Sequence, residues 1–377
     1  MKELDHILQL WKQTEQSGSA AVLATVVKTR GSSYRLPGAH LLVTATGQRA
    51  GSVSGGCLED DLVKKAWWFT EKGPVIRRYD TTADGEIATS GYGLGCNGTI
   101  DVLLERVLPE TRSIITVSSE VHANREAAGV AHIIEPRSAA GQRLIIDPGG
   151  SVSHNIDDSQ LAALLESRTR AAVAEGVSQH LTVDSVEIFI ETLLPPVRLV
   201  IFGAGDDAIP LTKLAKLLGW QVMVLDGRAH YATSERFPVA DLVAVRQPGK
   251  AATAIDRRTV AVIMNHSYSQ DLQVLKELAP VPLLYLGLLG PRKRTRQLLS
   301  DFGLDERSLH SDLHSPMGLD IGADGPEQVA LAVMAEIQAS LNGRAGGPLR
   351  NRHGSIHARE DEGLETGATS VHSIACA

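Results

Sequence analysis

The sequence predicts an α/β protein, with a mixed α/β amino-terminal domain followed by a doubly wound parallel sheet. Three observations predict it. An apolar run, Arg198-Leu199-Val200-Ile201-Phe202, ends in Gly203-Ala204-Gly205 and continues with helical spacing. Short apolar runs then alternate with amphipathic stretches as far as residue 341. Before residue 195, strand-like runs are separated by long loops of small residues. An apolar run, a glycine turn and an amphipathic stretch, in that order, make the first half of a βαβ unit.

The chemistry of that unit follows from its glycines. Gly203 takes the unusual dihedrals of the turn, and Gly205 lets a ligand's phosphates approach the backbone. The unpaired N–H groups and the helix dipole then face a pyrophosphate. Ala208 stands where the dinucleotide fingerprint allows glycine or alanine. Residues 211–219 read as a helix, with Leu211, Leu214, Ala215 and Leu218 on one face and Gly219 as its stop. Residues 220–225 read as the second strand. Asp226 ends it, about twenty residues past the glycines, where the fingerprint wants a carboxylate for a ribose hydroxyl. This is the Rossmann pattern, with Gly203, Gly205 and Asp226 as contacts to NAD(P) or another nucleotide. The plainer alternative is a tight turn and a capping aspartate. Asp206 and Asp207 place negative charge beside the phosphate seat, and Arg228 either offsets it or meets a 2′-phosphate.

Further strands are expected at 241–245, 259–264 and 283–286, with a helix at 271–278. His266 falls at the carboxyl end of a strand, where open α/β sheets place ligand contacts. It is a base, a ligand contact or a cap of the next helix. A loop at 287–291 opens onto a basic helix, and Pro326–Leu341 is a last helix with proline in its first turn. Pro195-Pro196 marks a boundary. The expected domains are 1–195, 196–342 and a disordered tail at 343–377, with Cys376 incidental in the tail.

The chain has 377 residues, enough for two or three domains. Lys and Arg total 37 and Asp and Glu 44, a net charge of −7, and no extended basic block suggests nucleic acid. No apolar run approaches the length of a membrane span. The amino terminus carries acids and leads into a helical pattern, unlike a signal peptide. The expected location is cytoplasmic. Three cysteines, Cys57, Cys96 and Cys376, are too few for a disulfide scaffold.

In the amino-terminal half, a helix is expected at 4–16 and strands at 20–28 and 40–44. Gly51-Ser52-Val53-Ser54-Gly55-Gly56-Cys57 then places a thiol at the mouth of a helix running to residue 69. The helix dipole favours the thiolate there, while Glu59, Asp60 and Asp61 oppose it. Gly91-Tyr92-Gly93-Leu94-Gly95-Cys96-Asn97-Gly98 repeats the arrangement before a strand at 99–105. Glycine-rich loops expose N–H groups that hold an anion, and a thiolate binds a soft metal or carries sulfur. Cys57 and Cys96 are therefore the catalytic and metal-contacting candidates, with Gly55, Gly56 and Gly95 as cofactor contacts. Either cysteine alone reads slightly better as a buried structural thiol; the two together, each framed by glycines, favour function. Two distant thiols without a CxxC or paired histidines do not match zinc. Strands are also expected at 113–118, 131–134, 143–147 and, half-exposed, 186–192, with a helix at 157–166.

Several stretches together resemble the XdhC/CoxI family of molybdenum-enzyme maturation factors. They are Thr29-Arg30-Gly31-Ser32-Ser33-Tyr34-Arg35-Leu36-Pro37-Gly38, the Gly51 to Glu59 loop, Gly93-Leu94-Gly95-Cys96-Asn97-Gly98, the Gly203–Gly205 turn, Met264-Asn265-His266, Tyr285-Leu286-Gly287-Leu288-Leu289-Gly290, and His314-Ser315-Pro316-Met317-Gly318-Leu319-Asp320-Ile321-Gly322-Ala323. They occur in the family's order over about residues 1 to 340. Asn97 stands where the family usually has glycine, and Asn265 where it often has threonine.

The resemblance implies an amino-terminal XdhC/CoxI domain and a carboxyl-terminal Rossmann domain. It implies an accessory protein that binds the molybdenum cofactor (a Mo-pyranopterin) and supports its sulfuration by a cysteine desulfurase. It implies insertion of that cofactor into the apo-enzyme of a molybdenum hydroxylase such as xanthine dehydrogenase or CO dehydrogenase. A homodimer is a further expectation. The rival reading is an NAD(P)-dependent oxidoreductase using Gly203, Gly205, Asp226 and His266, which leaves the two thiol loops without a task.

Overall fold

The fold is that of a computed structural model, which describes residues 2–31, 33–56, 58–80, 98–250, 255–303, 309–352 and 372–374. Of the described residues, those in 3–195 with 372–374 form one compact unit, and residue 2 with those in 196–352 form the other.

The first unit opens with α1 (Lys2–Gln16), β1 (Ala21–Gly31), β2 (His40–Thr44) and β3 (Arg49–Gly51). Then come α2 (Glu59–Phe69), β4 (Val75–Asp80) and β5 (Gly98–Val107). The five strands make an antiparallel sheet in the order β3-β2-β1-β5-β4. After α3 (Ile114–Asn124), a second sheet is built from β6 (Ala128–Glu135), β7 (Arg143–Ile146) and β8 (Val152–His154). Past α4 (Ser159–Glu175), β9 (Ser178–Val183) and β10 (Val186–Leu193) join it. The backbone of His372–Ile374 pairs with β9 at the edge of this sheet.

The layers follow from which face each strand buries. Val22, Ala24, Leu41 and Val102 pack under Leu62 and Ala66 of α2. Ala21, Leu23 and Leu42 on the opposite face meet Ala128, Val130 and Ile145 of the second sheet. Ile133, Ile188 and Ile190 on that sheet's far side meet Leu165 and Ala172 of α4. The unit is thus a four-layer α/β/β/α sandwich, the arrangement that covers both faces of both sheets.

Two local expectations are corrected. Residues 113–118, β-branched from Ile114 to Val117, read as a strand, but they cap and begin α3. Ser113 caps it: the Ser113 N–H donates to Thr116 Oγ1 at 3.0 Å, and the Thr116 N–H donates to Ser113 Oγ at 3.4 Å. This reciprocal pair satisfies donors at the helix end and outweighs weak strand propensity. The strand expected half-exposed at 186–192 is buried from Ile188 to Leu193. Its alternation separates a helix-facing side from a sheet-facing side, not core from water.

The second unit contains β11 (Arg198–Phe202), α5 (Ala208–Leu217), β12 (Gln221–Asp226) and β13 (Leu242–Val245). It continues with β14 (Thr259–Ile263), α6 (Tyr268–Leu278), β15 (Tyr285–Leu288), α7 (Arg292–Phe302), β16 (Leu313–His314) and α8 (Pro326–Leu341). All pairs in its sheet are parallel, in the order β13-β12-β11-β14-β15-β16. Leu199, Ile201 and Val260 face Leu211 of α5 and Val333 of α8. Val200, Phe202 and Ala261 face Val274 of α6 and Leu298 of α7. The chain reverses its direction of winding beside β11, so the carboxyl ends of β11 and β14 bound a switch-point crevice. Among the described residues, no helix is long and apolar enough to cross a membrane.

Candidate functional site

Cys57, Cys96 and Gly95 lie outside the described residues, but the loop leading to Cys57 is described. It is organised by Glu59, in the first turn of α2. The buried Glu59 carboxylate accepts from the N–H groups of Val53, Ser54 and Gly56, each at 2.9 Å. It also accepts from Ser52 Oγ at 2.7 Å and Ser54 Oγ at 2.5 Å. Burial alone would push this carboxyl up; the donors from Ser54, Ser52 and the backbone overcome that and hold it at about 2.

This corrects the role expected of Gly55 and Gly56. Their N–H groups point inward to Glu59, so they are not an open nest for an external anion. The glycines serve geometry instead. Gly55 has φ +106° and Gly56 φ +121°, conformations that disfavour a side chain. Among the described residues, a Cβ on Gly56 would meet nothing within 4 Å. The loop is thus a turn fixed by Glu59 directly before a cysteine. Residues 53–56 do not fit a phosphate cradle for a molybdenum–pterin cargo, because their N–H groups already bond Glu59.

Beneath this end of the sheet lies a polar cluster that sequence reasoning missed. His40 Nε2 meets Glu191 Oε1 at 2.7 Å, and His40 Nδ1 lies 3.1 Å from Thr25 Oγ1. His132 Nε2 stands 3.9 Å from Glu191 Oε2, and Arg143 pairs with buried Glu105. Burial acts against the charged form of His40, but Glu191 reverses it and His40 is raised. Burial, with Arg143 and His40 nearby, drives His132 down to about 3. Nothing in the local sequence links His40 to Glu191.

The second unit places Gly203, Gly205 and His266 together at the switch point, and Asp226 at the adjacent strand end. A Cβ on Gly203, at φ +125°, would overlap the Met264 carbonyl. A Cβ on Gly205 would stand 2.7 Å from Asp207 Oδ1 and 3.2 Å from His266 Nε2. His266 itself has φ 55°, and its Nε2 lies 3.2 Å from Asp207 Oδ2. The Asp207 carboxylate therefore sits against the turn where a pyrophosphate would approach.

Asp226 is equally committed. It is fully buried and its Oδ2 accepts from the Ala204 N–H at 2.7 Å and from Arg228 Nη2 at 2.8 Å. Its Oδ1 accepts from the N–H and Nε of Arg228 at 2.8 and 3.0 Å. Burial opposes its charge, and the Arg228 and Ala204 donors nonetheless hold it low. The ribose contact expected of Asp226 is not set up, because Arg228 already fills its acceptors. In this arrangement the turn does not fit a dinucleotide. Among the described residues, no three His, Cys, Asp or Glu side chains form a metal-binding group.

A probable xanthine dehydrogenase subunit of Bacillus subtilis (strain 168) is 34% identical over 321 residues, covering 84% of this chain and 92% of that one. This chain belongs to the XdhC and CoxI family. Residues 15–80 match the XdhC and CoxI family itself, and residues 199–337 match the XdhC Rossmann domain. The molybdenum cofactor insertion chaperone PaoD of Escherichia coli (strain K12) is 26% identical over 338 residues, 88% of each chain. A crystal structure of a xanthine dehydrogenase from Bacillus halodurans superposes with a TM-score of 0.74 at 29% identity. It covers 89% of this chain and 96% of that one. The matched XdhC Rossmann segment runs from Leu199 in β11 to Ile337 in α8, and the XdhC and CoxI segment contains the Glu59 loop.

Proposed function

We propose that this XdhC and CoxI family protein is an accessory factor for a molybdenum enzyme. It holds the molybdenum cofactor and delivers it to the apo-enzyme of a xanthine dehydrogenase- or CO dehydrogenase-type hydroxylase. The names of the Bacillus subtilis and Escherichia coli relatives support this class of role. The observation that carries the reading to a site is the clamp of Glu59 on residues 52–56. A buried carboxylate with charge-assisted bonds to at least five donors fixes the glycine turn immediately before Cys57.

The residues assigned to the cargo are Cys57 and Cys96 as soft donors for molybdenum or its transferred sulfur, beside Gly55, Gly56 and Gly95. When bound, the cofactor supplies the redox metal that the hydroxylase later uses. The chain's own task is to hold it out of water and release it. A cysteine desulfurase is the proposed sulfur source.

Purification from a molybdenum-replete host, with molybdenum measured by mass spectrometry and oxidised pterin by fluorescence, tests this. Near-stoichiometric metal and pterin, lost in Cys57→Ala or Cys96→Ala, is the expected result. Cysteine variants that retain both as wild type does would sink the thiol assignment. Absence of both from the wild-type protein, even after incubation with free cofactor, would sink the carrier role.

A further inference from the structure

Tyr34 lies between β1 and β2 with 67% of its surface exposed, in a chain where aromatic residues are 4% of the sequence. A large ring left in water is informative when something holds it in place. Here its ring rests on Gly55. A Cβ at Gly55 would stand 2.8 Å from Tyr34 Cδ1, 3.0 Å from Cε1 and 3.1 Å from Cγ. Only a glycine admits the ring at that distance.

Both sides of this contact are fixed. The Arg35 guanidinium donates to Glu3, the Ser33 hydroxyl donates to the Arg35 carbonyl, and the Gly38 N–H donates to the Val26 carbonyl at 2.9 Å. On the other side, Glu59 holds Gly55's neighbours. The ring is thus seated on Gly55, with its outer face exposed, beside the Glu59-held turn.

We infer that Tyr34 is a stacking platform for a flat heteroaromatic ring, the pterin of the cargo, next to the Cys57 loop. This rests on the carrier reading and names the part of the ligand that the loop region recognises. A pre-seated ring loses little freedom on binding, and a phenol face stacks on any conjugated bicycle. Because the N–H groups of residues 53–56 are spent on Glu59, recognition here is through the ring and not through phosphate.

The full-length protein is titrated with pterin-6-carboxylate, following quenching of pterin fluorescence, and with CMP and GMP as competitors. Tyr34→Phe keeps the wild-type affinity, whereas Tyr34→Ala weakens it by about tenfold or more. Unchanged circular dichroism and denaturation midpoints show that Tyr34→Ala is folded. Wild-type affinity in Tyr34→Ala overturns the platform, as does Tyr34-dependent binding of CMP or GMP without binding of pterin. The molybdenum content of the same preparations separates the two ideas. If wild type and Tyr34→Ala carry equal metal and bind pterin equally, only the platform falls. If the wild-type protein takes up neither pterin nor metal, the carrier reading falls with it.

Discussion

His40 and Glu191 meet at 2.7 Å between the two sheets of residues 3–195, joining β2 to β10 across the interior. The pair replaces apolar packing at that point with a charged hydrogen bond. Its neighbours are Thr25 on β1, Glu105 on β5, His132 on β6, Arg143 on β7 and Glu3 on α1. Such a cluster ties the register of the two sheets to the protonation of its histidines.

The pH dependence of stability has two limbs. His40 is raised above its ordinary 6.5, so its contribution is complete below that value and is lost as pH rises through the folded value. His132 is lowered from 6.5 to about 3, so the unfolded chain binds its proton first, and stability falls as pH drops from 6.5 towards 3. The steepest slope from one such histidine is about 1.4 kcal/mol per pH unit. Urea denaturation from pH 4 to 9 is expected to show maximal stability near neutrality. His132→Gln should flatten the acid limb and His40→Gln the alkaline one. Identical profiles for all three proteins would show that the cluster is not linked to folding.

Glu59→Gln turns one acceptor into a donor facing N–H groups. It is expected to cost about 3 kcal/mol. The wild-type contribution is present above the carboxyl's ordinary 4.5 and is lost as pH falls towards about 2. The variant and wild type should therefore converge in strong acid, and a midpoint difference independent of pH would contradict the clamp.

Two glycines with similar φ separate strain from crowding. Gly203→Ala drives a Cβ into the Met264 carbonyl and is expected to cost about 3 kcal/mol or more. Gly56→Ala meets none of the described residues within 4 Å and is expected to carry backbone strain alone, about 1 kcal/mol. Thermal melts of the two variants give the ranking directly, and equal losses would refute it.

Asp226→Asn removes the charge that Arg228 and the Ala204 N–H share, at a cost of about 2 kcal/mol, moderated because Arg228 can turn to water. Since both Asp226 oxygens are occupied, millimolar NAD+ or NADP+ is expected to leave the wild-type melting temperature unchanged. A clear upward shift with either nucleotide would show that Arg228 yields to a ribose.

Much of the fold was legible because its causes are local. The Gly203 turn, the alternation of strands and helices after it, and the final helix Pro326–Leu341 each follow from spacing within a dozen or so residues. The failures have equally physical reasons. Residues 113–118 carry strand propensity that the Ser113–Thr116 cap overrides, and Ile188 to Leu193 alternate like a half-exposed strand because alternation does not say what covers each face.

The amino-acid sequence by itself determined the order of elements, the doubly wound half, the family resemblance and the loop that ends at Cys57. Only the tertiary structure decided what the polar groups of those motifs do. Glu59 takes the N–H groups of its own loop, Arg228 takes Asp226, and Glu191 finds His40 from 151 positions away. A motif lists donors and acceptors, but a buried charge binds whichever partner the fold brings within about 3 Å, and that choice is made by long-range packing.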